Sequence, residues 1–172
     1  MKRMAAMMLA FLIMGCMGGE ASGFSFRKGV TWGMSRGEVL TAEGQPRYES
    51  ERENGLDVIE IDRAEQWGAD CALKYLFYRD NLVMGRMEYD TRSDAVSVEK
   101  LIATLTERYG SPTELDPARL AEITLDDDEA PDCFLGWVID DRTLLSLEER
   151  RDRHSITIVV SDIRDETGNA DM

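Results

Sequence analysis

The chain has 172 residues and a formal net charge of −14, which suits one domain, or two very small ones sharing a core. A surface this acidic repels nucleic-acid phosphates and anionic lipid headgroups, which argues against non-specific binding to either. With 43% hydrophobic residues, three Trp, five Tyr and five Phe, the chain is too apolar for a disordered acidic tail, and one His with three Cys leaves little for a His-based catalytic centre or a zinc cluster.

Lys2 and Arg3 form a cationic head, the stretch from Met4 to Gly15 carries no charge, and Cys16 follows. About a dozen apolar residues are too few to span a bilayer as an ordinary helix but fit the core of a signal peptide. Leu12-Ile13-Met14-Gly15-Cys16 resembles the lipobox of bacterial lipoproteins, in which a small residue precedes a cysteine whose thiol is acylated before cleavage. The resemblance implies a signal peptide over 1–15, a lipid anchor on Cys16 and a tether over 16–23. It also implies a domain in the bacterial cell envelope, facing the periplasm and touching the membrane only through that anchor. An ordinary secretory signal or an uncleaved anchor is the alternative.

The first helix is predicted over 35–43. Ser35 followed three residues later by Glu38 forms a capping box, Met34 and Val39 are placed for a hydrophobic staple, and Gly44 with Pro46 stops the helix. Three strands follow: 56–62 after the Asn54-Gly55 turn, 71–78 by alternation, and 82–89 after Asp80-Asn81. Val98, Leu101, Ile102, Leu105 and Tyr109 make one apolar stripe of a second helix, which ends in Gly110-Ser111-Pro112. After a polar interruption over 113–132, strands are predicted over 133–139, 143–147 and 155–161. This order predicts an α+β fold of two pseudo-repeats, 24–92 and 93–164, each a helix followed by three antiparallel strands in a two-layer sandwich. Residues 165–172 read as a disordered acidic tail.

Gly33-Met34-Ser35, Val39, Gly44 and Pro46 resemble the signature of the SmpA/OmlA family of small outer-membrane lipoproteins, although Glu43 stands where that family usually has an apolar residue. The tandem layout also resembles β-lactamase inhibitory proteins. These resemblances imply a binding protein, either an assembly accessory or an inhibitor.

The residues offer little chemistry. His154 sits in the charged turn 148–154 without an evident partner or nucleophile, and reads as a solvated turn residue. Asp126-Asp127-Asp128-Glu129 lacks the alternate ligand spacing and the glycine of a calcium loop. Asp57, Glu60 and Asp62 on the first strand suggest a paired-carboxylate hydrolase, against the simpler reading of a solvated strand face. Trp137 is in phase with Leu135 and Ile139 and belongs to the core. Trp67, in a polar turn, is the candidate partner contact, with local packing as the alternative. With Cys16 acylated, Cys71 and Cys133 remain for a disulfide in an oxidising compartment, with two buried free thiols as the alternative. The expectation is a non-catalytic module with no cofactor and no metal. It binds another envelope protein through the loop around Trp67 and the sheet's solvent face. The competing reading is a carboxylate-based hydrolase or a metal-dependent envelope enzyme.

Overall fold

A computed structural model describes residues 24–44, 52–53, 55–92, 95–113 and 131–163. The signal peptide, Cys16, the tether, the acidic run 126–129 and the C-terminal tail lie outside the described residues. Among the described residues no helix is long and apolar enough to cross a membrane.

The chain enters along a short segment whose Phe24, Phe26 and Val30 are buried. A single 3₁₀ turn, Arg27–Gly29, places Lys28 at φ 52. Helix α1 (Arg36–Glu43) starts as its sequence dictates: Ser35 accepts from the Glu38 N–H while the Glu38 carboxylate accepts from Ser35 N–H at 2.8 Å, and Gly44 closes the end at φ 80. Strands β1 (Arg52–Glu53), β2 (Leu56–Gln66), β3 (Ala69–Tyr78) and β4 (Asn81–Asp90) follow. Then come α2 (Val98–Tyr109), capped by Ser97, and β5 (Cys133–Val138), β6 (Thr143–Arg150) and β7 (Ser155–Asp162).

β2 runs four residues past the predicted end because the pairing register shifts between Ile61 and Ala64. A bulge there breaks the two-residue period that sequence alternation relies on, then restores it with Ala64 and Gln66 facing inward.

Separate helix-plus-three-strand repeats do not form. All seven strands join one antiparallel sheet in the order β1-β2-β3-β4-β7-β6-β5, to which β1 gives only two residues. The two expected units merge because β4 pairs with β7 from Met84↔Ser161 to Asp90↔Ser155. An unpaired strand edge leaves a row of unsatisfied backbone groups, and this pairing satisfies two such edges at once.

One core also serves both halves. It runs from Ile59 and Tyr75 through Met87 and Val160 to Leu145 and Trp137, and is covered by Val39 of α1 and Val98, Leu101 and Leu105 of α2. The two helices cover it unequally: α1 buries only Val39 and Glu43. The entering segment completes the cover. Phe26 lies directly over Gly85, where a Cβ would stand 2.2 Å from its ring, and its ring meets Trp32 and Tyr75 edge-on at 5.1 and 5.5 Å. The absent side chain of Gly85 is therefore the socket for Phe26.

Candidate functional site

The site is built on the hairpin that joins β2 to β3. Gln66↔Ala69 closes it, leaving only Trp67 and Gly68 in the turn, at φ 51 and 76. Such a turn favours Asn or Gly at its first position, and holding a bulky residue there costs about 1 kcal/mol. The Trp67 ring is half-buried against the core. Its indole N–H is shielded from solvent yet meets no acceptor among the described residues, a further cost of about 1–3 kcal/mol.

The ring forms one wall of a cleft of about 380 Å³, opposite the first turns of α2. Val96 and Leu101 are its apolar floor, and the small side chains of Ala69, Ala95 and Ala103 leave the space open. The sequence placed Trp67 in this turn. The cleft arises because the Ser97 cap starts α2 beside the hairpin, a proximity of residues about 30 positions apart that no local signal reveals.

A second hollow of about 360 Å³ shares Gly68, Ala69, Ala95 and Val96 with the first and adds Glu65, Asp70 and Asp90. Glu65 and Asp70 are direct cross-strand neighbours, and no cation pairs with either among the described residues. Like charges so placed repel. Asp90 is held by the Arg92 guanidinium through bonds of 2.5–3.0 Å, which keep its carboxyl down to about 2.

His154 lies in the β6–β7 turn at φ 53, on the rim of a third hollow of about 510 Å³ that shares Asp70 and Asp90 with the second and adds Asp62, Arg63, Glu88 and Arg153. Its ring makes no hydrogen bond among the described residues, so nothing there orients it as a base.

Asp57 and Glu60 sit on opposite faces of β2. The first pairs with Arg36 at 3.4 Å, and the second stands beside Lys74. The sheet thus lies between Asp57 and Glu60, while Asp62 falls in the bulge after Ile61. No group of three metal-ligating side chains occurs among the described residues.

Trp137, expected in the core, is tied down there, and Trp32, for which the sequence predicts no placement, packs against its edge. Trp137 donates to the Gly110 carbonyl at 2.9 Å, and Trp32 to the Thr143 hydroxyl at 2.9 Å. On the sheet's outer face a cross-strand row runs from Val58 through Leu76, Met84, Ser161 and Leu144 to Val138, apolar except at Ser161. Val58, Leu76 and Leu144 are buried, and in this row only Val138, at 54% exposure, stands well clear.

The Cys71–Cys133 disulfide does not form. Both thiols are free. Cys71 is on β3 and Cys133 on β5, with β4, β7 and β6 between them. Four strand spacings amount to roughly 19 Å, whereas a bridge needs Cα atoms within about 7 Å. Alternation reported the face of each cysteine correctly but carried no information on strand order. Burial pushes the Cys71 thiol up to about 11.

Sequence reading also missed a buried ionic cluster. The Glu43 side chain is 1% exposed, accepts from the Tyr75 hydroxyl at 2.7 Å, and pairs with Arg27 at 3.4 Å and Lys28 at 3.2 Å. Burial, then the Glu43 hydrogen bond and charge, push the Tyr75 phenol far above its ordinary range. A signal was present: Glu43 is four residues after Val39, on the inward stripe of α1. The cluster fastens the entering segment to α1 and β3.

Compared with known protein families, curated proteins and solved structures, the chain matches none. The likeness to the SmpA/OmlA family therefore rests on Gly33-Met34-Ser35, Val39, Gly44 and Pro46 alone.

Proposed function

We propose that this protein is a non-catalytic lipoprotein of the bacterial cell envelope that holds another envelope protein through the Trp67 cleft, as an assembly accessory or as an inhibitor. The observation that carries the reading is Trp67 itself. It occupies a left-handed turn position that disfavours its bulk, has an indole N–H with no acceptor among the described residues, and lines an open cleft floored by Val96 and Leu101. Backbone and hydrogen-bonding costs concentrated on one aromatic side chain are characteristic of positions kept for contact rather than stability. The carboxylate-hydrolase reading has less support, because Asp57 and Glu60 face opposite sides of the sheet.

The anchor and the address rest on the Lys2-Arg3 head, the uncharged stretch and Gly15-Cys16. The intact mass of the membrane fraction should be that of a chain starting at Cys16 plus acyl groups; a soluble product cleaved elsewhere overturns the lipid anchor. For the binding role, a photo-crosslinker placed at Ala103, an exposed helical position lining the cleft, should capture one protein in native membranes, identified by mass. An outer-membrane assembly component assigns the accessory role, and a hydrolase the inhibitory one. No captured protein overturns the binding reading.

A further inference from the structure

The Trp67 cleft has a charged neighbour that specifies what enters it. Its apolar part, between Trp67, Ala69, Val96 and Leu101, has room for one aliphatic side chain; Lys100, which also lines the cleft, is already engaged in an interaction of its own. The adjoining hollow contributes Glu65, Asp70 and Asp90 and no basic residue. Glu65 and Asp70 face each other across β2 and β3 with no cation between them among the described residues, while Asp90 already has Arg92. Two repelling, exposed carboxylates beside an open apolar cleft are unfavourable in the free protein and become favourable when a cation is delivered.

Resting on the binding role of Trp67, we propose that the occupant is an extended segment of a partner protein in which an aliphatic residue is flanked by Lys or Arg. The aliphatic side chain fills the space against Trp67, and the flanking cation lies between Glu65 and Asp70. The overall charge of −14 attracts such a segment from a distance, and the Glu65/Asp70 pair fixes its register.

The test uses the full chain labelled with ¹⁵N-tryptophan, in which the Trp67 indole resonance is assigned by its loss in Trp67→Asn. Asparagine accepts the left-handed turn, so this variant keeps the hairpin while deleting the ring. Three peptides are titrated: Ser-Gly-Lys-Leu-Lys-Gly-Ser and its counterparts with Ser or Glu in place of both Lys. The Lys peptide should move the Trp67 resonance and bind about five- to tenfold more tightly than the Ser peptide, and the Glu peptide should not bind. In Glu65→Gln/Asp70→Asn, a double change on the exposed rim, the Lys and Ser peptides should bind alike. Glu107→Gln, away from the cleft, should leave the preference intact.

Equal binding of Lys and Ser peptides to the unaltered protein overturns the cationic assignment, as does a preference that survives in the double variant. Movement of the Trp67 resonance by both peptides alike would leave the cleft as a binding site and remove only the charge selectivity. A resonance that moves with no peptide overturns the inference; the binding reading then stands or falls separately, on the crosslinking.

Discussion

Replacing Glu43 by alanine should be among the most damaging single changes in the structure. The carboxylate is 1% exposed and accepts a hydrogen bond from the Tyr75 hydroxyl at 2.7 Å, so its loss strands a buried phenol, at about 1–3 kcal/mol. Arg27, 21% exposed, loses its pairing carboxylate while its Nη1 already has no partner among the described residues. Breaking a fully buried pair costs about 3–5 kcal/mol, and partial solvent access reduces that to about 1–2. Lys28, at 43% exposure, adds well under about 1 kcal/mol. The sum is about 3 kcal/mol, a large part of the stability of a domain this size. Glu43→Gln keeps an acceptor for Tyr75 and should lose about half as much. In urea titrations followed by Trp fluorescence, the midpoint should fall in the order wild type, Gln, Ala, with unchanged slope. A Glu43→Ala midpoint within about 1 kcal/mol of wild type would refute the view that this cluster clamps the entering segment to the fold.

Gly85→Ala should cost about 2–3 kcal/mol, because the new methyl would overlap the Phe26 ring; a Gly85→Ala/Phe26→Ala double variant less stable by the full sum of the single changes would deny that contact. Ser35→Ala should cost about 1 kcal/mol through the lost cap, read as a shift in urea midpoint. Thiol titration in denaturant without reductant should count both Cys71 and Cys133 as free. In the folded protein Cys133 should react first, since Cys71 is buried and its thiol raised to about 11; a single labelled thiol or none refutes this. Stability should fall as pH rises from about 9 to about 11. Unfolding lets Cys71, Tyr75 and Tyr89 ionise near their ordinary values of 9 and 10, whereas the folded state keeps their protons, so deprotonation favours the unfolded chain; equal urea midpoints at pH 8 and pH 11 would contradict the burial of these groups.

Features written within a few residues of one another were legible in the chain. Ser35, Glu38 and Gly44 set both ends of α1, because capping is a contact between near neighbours. Alternation assigned Leu73, Tyr75, Met87, Ile158 and Trp137 to the inner face, because the side-chain period of a strand is fixed by its backbone. The turn position of Trp67 was legible for the same reason.

Strand order was not legible, since period-two alternation names a face but never a neighbour. Only the tertiary structure joined β4 to β7, which turned two expected repeats into one sheet and put Cys71 and Cys133 four strands apart. It also closed Arg27, Lys28 and Tyr75 around Glu43, and brought the start of α2 beside the Trp67 turn to open the cleft. These are contacts between residues distant in the chain, and they are settled when backbone edges and apolar faces are satisfied together across the whole sheet.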